Sequence, residues 1–351
     1  YIKLNFSADD RHVLYCSADT NYFTTHTLVD TADKFCKIGG RYLFIDEIHK
    51  YENWSREIKE IYDLHRELHI VISGSSLLQI NDGHSDLSRR LTEYQMSGLS
   101  FREFMCMMTG VNIEPIELSS LLNSPNLFCQ EVKRHFHPLE YFHLYLKEGY
   151  YPFYFENKKM YHNVIENVIN YIVDNELTMF RGLEVGNSRR IKALLQVLSK
   201  MVPYEVDISK LSRTIGIQRP TTLKYLKNLE EVALIRRLFT KIDTIKDLQK
   251  PDKILIDNSN ILYTLSDSNP EIGTVRETFF CNQLCAAGHI VEYGGLKTGD
   301  FRIDKEIVIE VGGSDKGLKQ IQNEEYGYVA ADDIDNAIFR KIPLWAFGFL
   351  Y

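Results

Sequence analysis

Tyr42-Leu43-Phe44-Ile45-Asp46-Glu47-Ile48 decides how the chain is read. Four apolar residues run without alternation into two adjacent carboxylates. A strand-length run with no polar face suits a central strand of a parallel sheet covered on both sides. In open α/β sheets, chemistry gathers at the carboxyl ends of such strands. Asp46 is then placed to hold Mg²⁺, and Glu47 to orient a water. The competing reading, a strand that simply ends in two solvated acids, stays open on this stretch alone.

Working outward, Asn53 is placed to cap a helix on which Trp54, Ile58, Ile61 and Tyr62 recur at helical spacing. A second apolar strand, Ile70-Val71-Ile72, ends in Ser73-Gly74-Ser75-Ser76. Strand, helix and strand in this order form a right-handed crossover unit. Set on that unit, the acid pair has the Walker B arrangement of nucleotide triphosphatases. A polar residue at the neighbouring strand tip reaches a γ-phosphate or the attacking water, and here that residue is Ser73. Ser88-Arg89-Arg90-Leu91 follows, and a cation near a γ-phosphate is the arginine-finger device. A solvated helix face is the competing reading of Arg89 and Arg90.

These residues, taken with Leu99-Ser100-Phe101-Arg102-Glu103-Phe104, resemble the prokaryotic AAA-type ATPases that carry a C-terminal domain of unknown function. The resemblance continues through Tyr150-Tyr151-Pro152-Phe153 and Glu310-Val311-Gly312-Gly313 to the closing Pro343-Leu344-Trp345-Ala346-Phe347-Gly348-Phe349. It implies ATP and Mg²⁺ as ligands, with Asp46 toward the metal, Glu47 as base, Ser73 as γ-phosphate sensor and Arg90 or Arg89 as finger. It further implies that hydrolysis drives movement of a domain or partner.

One part of that family's pattern is missing. No Gly-x-x-x-x-Gly-Lys-Ser/Thr occurs in the sequence, and this is the loop whose N–H groups and Lys cradle the phosphates. Tyr1-Ile2-Lys3-Leu4-Asn5-Phe6 reads as the tail of the helix after such a loop, and Val13-Leu14-Tyr15-Cys16 as the next strand, with Asp19 near its end. The expectation is a chain without its first strand and phosphate loop; a relative that has lost hydrolysis is the alternative. On either reading these residues alone bind ATP poorly or not at all.

The 351 residues, 44% hydrophobic and 25% charged, are those of an ordinary globular protein with room for two or three domains. No apolar run reaches the length of a bilayer span, so no membrane partner is expected. The six cysteines form no Cys-x-x-Cys, and Cys281 and Cys285, four apart, read as buried thiols on a helix; a reducing cytoplasm fits. None of the eleven histidines, His135, His137 and His143 among them, has a carboxylate or Cys at ligand spacing. The net charge of −7 argues against wholesale coating of nucleic acid and leaves room for a local basic face.

The expected fold class is α/β: a P-loop-type parallel-sheet ATPase domain over 1–105, a helical segment over 106–200, a winged helix-turn-helix over 201–245 and a degenerate nuclease-like domain over 246–351. The aromatics around Pro152 read as a packed corner between helices rather than a base-stacking platform. Ile208 to Ile217 reads as a short helix ended by the Gly216 turn, and Arg219 to Leu229 as a second helix with Pro220 in its first turn. Leu223, Leu226 and Leu229 would face the core, and Arg219, Thr221, Thr222, Lys224 and Lys227 the solvent. Ala233 to Leu238 is the expected wing. Cations on such a second helix meet DNA phosphates, although an interdomain lid is the competing role.

In the last part, Glu277 sits on a helix, Asp300 precedes the strand Phe301-Arg302-Ile303, and an Asp304-Lys305 turn leads to Ile307-Val308-Ile309-Glu310-Val311. This is the pattern of a restriction-endonuclease-like core, in which such acids hold a divalent metal and a Lys two residues past the Glu supports the water. Gly312 stands at that Lys position, and Lys316 or Lys319 is the candidate substitute. Three functions therefore compete: an ATPase, with a protein partner or second copy to act on; a DNA-binding module; and a metal-dependent nuclease using Glu277, Asp300 and Glu310. The first is expected.

Overall fold

The quoted stretch forms the middle strand of three. A computed structural model describes residues 2–7, 10–74, 87, 90–178, 185–200, 206–240, 250–295 and 298–351. They fall into two units, Tyr1–Gln95 and Met96–Tyr351.

In the first unit, β1 (Val13–Ser17), β2 (Tyr42–Asp46) and β3 (His69–Ile72) lie in that spatial order, all parallel. The connections are α2 (Leu28–Lys37) and α3 (Trp54–Leu64); α1 (Ile2–Asn5) precedes the sheet. The pleat sends Leu14, Cys16, Leu43, Ile45, Ile70 and Ile72 to one face, where Ala32 and Phe35 of α2 and Trp54, Ile58 and Ile61 of α3 pack on them. Glu57 of α3 accepts from the first N–H groups of α2, Leu28 at 2.9 Å and Val29 at 3.3 Å, which satisfies orphan donors and fastens the helices together.

Two expectations change here. Asn53 does occupy the cap position of α3, but in a left-handed conformation (φ 60°) with no side-chain cap bond. Tyr62 faces solvent, because at helical spacing it falls beside the stripe that Trp54, Ile58 and Ile61 bury. The other sheet face carries Tyr15, Tyr42, Phe44 and Val71. Helices α2 and α3 pack on the first face, while Ile2 and Lys3 of α1 border the second and Phe6 covers part of it, its ring centroid 5.0 Å from that of Tyr42. Tyr15 and Val71 stay half exposed there.

The second unit opens with α4 (Phe101–Thr109), started by a capping box in which Ser100 and Glu103 bond each other's backbone N–H. Leu99 to Phe104 therefore packs in this unit, with Phe101 fully buried against Phe142, Tyr145 and Phe349. Helices α5 (Leu118–Asn123), α6 (Pro125–Lys133), α7 (Pro138–Glu148), α8 (Tyr161–Tyr171) and α9 (Ser188–Lys200) follow. Tyr150 and Tyr154 are buried in the corner between α7 and α8, where Tyr161 donates to Asn260.

The pair α10 (Ile208–Ile215) and α11 (Arg219–Glu231) is followed by β4 (Ile235–Leu238), antiparallel to β5 (Lys253–Ile256). Gly216 ends α10 at φ 67°, where a side chain would be strained. Thr222 is in the core, not in solvent: its hydroxyl meets that of Ser212 at 2.7 Å, so a polar contact joins the two helices. After α12 (Ser259–Leu265) and α13 (Ile272–Ala286) comes a five-stranded sheet ordered β10-β9-β8-β7-β6. Here β6 (Val291–Tyr293), β7 (Phe301–Ile303) and β8 (Ile307–Gly312) are antiparallel, while β8, β9 (Gly327–Ala331) and β10 (Lys341–Pro343) are parallel. Asp304 and Lys305 both have positive φ, the mirror-image turn that matches strand twist.

Candidate active site

Asp46 ends β2 and Ser73 follows β3, so the register pairing Ile45 with Ile72 sets the two side by side. Ser73 N–H donates to Ile45 O and Ile48 N–H to Ser73 O, both at 2.9 Å, which ties the strand tips together. Ser73 Oγ donates to Asp46 Oδ1 at 2.6 Å, and the Glu47 N–H reaches the same oxygen at 3.0 Å. Tyr15 on the other neighbouring strand donates its hydroxyl to Oδ2 at 2.8 Å. These donors, Ser73 first and Tyr15 next, hold the Asp46 carboxyl below its ordinary range.

Glu47 leaves the strand in a left-handed conformation, φ 50°. Its Oε2 lies 3.4 Å from Nε2 of His49, whose ring is only 4% exposed. Nδ1 of that ring is buried with no hydrogen-bond partner. Burial pushes the His49 imidazole below its ordinary pKa, and the Glu47 charge opposes that only in part. A groove of about 730 Å³ runs along the second sheet face, from Lys3 and Tyr42 to Asp46 and Ser73 at the strand tips.

The structure thus brings Asp46, Glu47 and Ser73 together. Arg90 is not with them: its guanidinium grips both oxygens of Asp63 at 3.1 Å. Asp63 stands in the last turn of α3, the end that feeds the start of β3 rather than the strand tips. Arg89, Ser75, Ser76 and Ser88 lie outside the described residues. Sequence reasoning missed Tyr15, because a half-exposed tyrosine on a strand carries no motif. It also passed over His49 inside the quoted motif, since spacing does not show which way a ring turns.

The donor set can be tested against Mg²⁺. An ionised carboxylate at a strand tip suits the ion, but Oδ1 already accepts two hydrogen bonds and Oδ2 one. Mg²⁺ keeps most of its waters, so Asp46 fits it through a water, or directly once the exposed Tyr15 turns away.

In the second unit, Lys253 Nζ meets Glu277 at 2.7 Å and Lys316 Nζ meets Glu310 at 2.5 Å, while Asp300 accepts from the Val311 N–H at 2.8 Å. Burial lifts the Glu277 carboxyl to about 7 and raises that of Glu310, with Asp300 adding to both. A Cβ on Gly312 would fall 2.7 Å from Cβ and Cγ of Lys316, so the Lys316 stem fills the space a side chain at 312 would take. Lys319 is exposed.

Among the described residues, ligand atoms within 4.8 Å of one another come from His143, Asp332 and Asp333, not from Glu277, Asp300 and Glu310. Chain spacing hid that histidine's acidic neighbours; Arg276 already pairs with both, at 2.8 Å to Asp332 and 3.1 Å to Asp333. Arg219, Lys224 and Lys227 are exposed on α11, with Lys227 3.8 Å from Glu231.

Residues 1–105 match the family model described as an AAA domain, and residues 139–271 match one described as a domain of unknown function. No curated protein matches the sequence. Among solved structures, the chain is similar to a Walker-type ATPase of Pyrococcus abyssi at 15% identity and a TM-score of 0.39, covering 70% of this chain and 71% of that one. Likeness of that degree settles neither fold nor function. The first unit, which holds nearly all of the stretch matching the AAA-domain model, is a mixed α/β domain built on a parallel sheet. The likeness to an AAA domain covers those first 105 residues, under a third of the chain. Among the described residues no helix is long and apolar enough to cross a membrane.

Proposed function

We propose that this unit serves ATP hydrolysis, with Glu47 as the base that takes the proton from the attacking water and Ser73 reading the γ-phosphate. The observation that supports this reading is the 2.6 Å bond from Ser73 Oγ to Asp46 Oδ1, which joins the two residues across adjoining strand tips. Asp46 would hold Mg²⁺, which when bound neutralises phosphate charge. Glu47, next to it in the chain, would then take the proton from the attacking water. Arg90 supplies transition-state charge after leaving Asp63, or else Arg90 or Arg89 serves a neighbouring subunit's nucleotide. Hydrolysis moves a domain or a protein partner, in the cytoplasm. The test is Glu47→Gln in the full-length protein: ATP binding should persist while turnover falls by roughly two orders of magnitude or more. Undiminished turnover removes the base assignment.

A second reading gives the protein a DNA contact through α10 and α11, taken as a winged helix with β4 and β5 behind it. Exposed Arg219 and Lys224 favour it. The wing arginines do not: Arg237 pairs with Glu230 at 2.6 Å and Arg236 with Asp257 at 2.9 Å. A mobility-shift titration at two salt concentrations decides, since phosphate contacts must weaken as salt rises. The C-terminal sheet supports a degenerate nuclease-like domain rather than a working nuclease, because Lys253 and Lys316 already neutralise Glu277 and Glu310. Incubation of supercoiled DNA with Mg²⁺ or Mn²⁺ and an Asp300→Ala control tests that.

A further inference from the structure

Within the quoted motif, one side chain is buried next to the proposed base and has no role so far. We infer that His49 is a positioning residue for Glu47, its Nε2–H holding one carboxylate oxygen and so fixing the plane in which the base meets its water. This rests on the reading of Glu47 as base.

Geometry carries the inference. Glu47 has a left-handed backbone (φ 50°), and its Oε2 lies 3.4 Å from His49 Nε2. Ile48 is fully buried and its N–H is bonded to Ser73 O, so the peptide that carries the ring cannot drift. The ring is itself buried, and Nδ1 has no partner. A lone pair left alone in such surroundings costs less than an N–H with no acceptor, which puts the single proton on Nε2, facing Glu47. Lys50 beside the ring in sequence, Asp19 beyond β1 and Asp46 at the strand tip are the other charges that bear on it. Only Glu47 stands at contact distance among the ion pairs it makes.

A glutamate carboxylate on three rotatable bonds sweeps a wide arc, and a base that must meet water in line gains from having that arc closed. One hydrogen bond from a neutral buried donor does this without adding a second charge that would weaken the base. A charged Lys in the same place would hold the oxygen harder and lower its basicity.

Two measurements test it. In the full-length protein, His49→Leu should lower kcat for ATP by roughly ten- to a hundredfold with little change in KM, and His49→Gln, which keeps an N–H donor at similar reach, should recover most of the loss. Wild-type kcat in His49→Leu, or a His49→Gln rate as low as that of His49→Leu, overturns the proposal. The second readout does not need turnover: by ¹⁵N NMR, His49 should show a protonated Nε2 and a bare Nδ1, and Glu47→Gln should shift its Nε2–H signal. A signal indifferent to Glu47→Gln overturns the contact. If Glu47→Gln keeps full turnover while that signal moves, the base reading fails and the contact stands. If Glu47→Gln is inactive and His49→Leu is not, positioning alone fails.

Discussion

Tyr15 donates its hydroxyl to Asp46 Oδ2 at 2.8 Å, across two strands whose parallel register sets Ser17 opposite Asp46. The tyrosine therefore occupies one of the two oxygens a metal would use, and Ser73 shares the other with the Glu47 N–H. Both hydroxyls stabilise the ionised acid, and Ser73 does so more.

Removing either hydroxyl should raise the Asp46 pKa toward its ordinary value, Ser73→Ala by more than Tyr15→Phe, as read by ¹³C carboxyl NMR titration. The sign follows from linkage. A depressed folded pKa gives stability that is present above the unfolded value and lost as pH falls through the folded one. The stability gap between wild type and Ser73→Ala should accordingly close on acidification. A gap that widens in acid would mean Ser73 acts through packing.

The Lys253–Glu277 pair makes an opposite pH signature. Lys253 is 3% exposed, stands over the Phe301 ring at 4.9 Å, and meets a carboxyl that burial has lifted to about 7. A raised folded pKa means stability that is fully present below the unfolded carboxyl value and lost as pH climbs through about 7. Lys253→Met strands Glu277 without its cation. At pH 8, where Glu277 is ionised, the loss should approach about 3 kcal/mol, the cost of orphaning a buried charge. At pH 5, with Glu277 protonated, it should be distinctly smaller. Thermal unfolding at the two values checks this; equal losses would show that Glu277 is not the group involved.

The parallel sheet was legible because its signal is local. Tyr42–Asp46 and Ile70–Ile72 are apolar runs bounded by polar residues, and Trp54, Ile58 and Ile61 repeat at helical spacing between them. Asp46 and Ser73 could be paired in advance, since parallel register follows once a crossover is accepted. What the sequence hid depends on which side chain turns where. Tyr15 reaches Asp46 from a strand 31 positions earlier, and Arg90 is taken up by Asp63, 27 positions before it. Likewise the Lys316 stem fills the space beside Gly312 because a loop returns there, which a count of residues after Glu310 does not reveal.

Thr222 shows the same limit inside a helix whose position was foreseen. Polarity assigned it to solvent, whereas the packing angle of α10 on α11 puts its hydroxyl 2.7 Å from that of buried Ser212. Thr222→Val keeps the shape and deletes the bond, so it should cost about 1 kcal/mol. Thr221→Val next to it, on a part-exposed site, should stay within about 0.5 kcal/mol of wild type. Urea unfolding midpoints of the two variants make the comparison, and equal values would return Thr222 to the surface reading.

Gly348 in the closing aromatic run is a glycine for reasons of space. It sits where a Cβ would lie 2.5 Å from Cβ of Phe101 and 3.2 Å from Cζ of Phe279. Phe101 cannot yield by turning its ring, because the nearest atom is its own Cβ, fixed to the backbone at the start of α4. Gly348→Ala must therefore push the C-terminal segment and α4 apart, at a cost of about 1–3 kcal/mol for overpacking. Gly317 makes the contrast: nothing lies within 4 Å of its added Cβ, and its φ is not positive. There an alanine only restricts the unfolded chain, and should be neutral or stabilise by up to about 1 kcal/mol. Unfolding midpoints that move in opposite directions would tie the Gly348 requirement to Phe101; a Gly348→Ala protein as stable as wild type would show that α4 can shift to admit a methyl group.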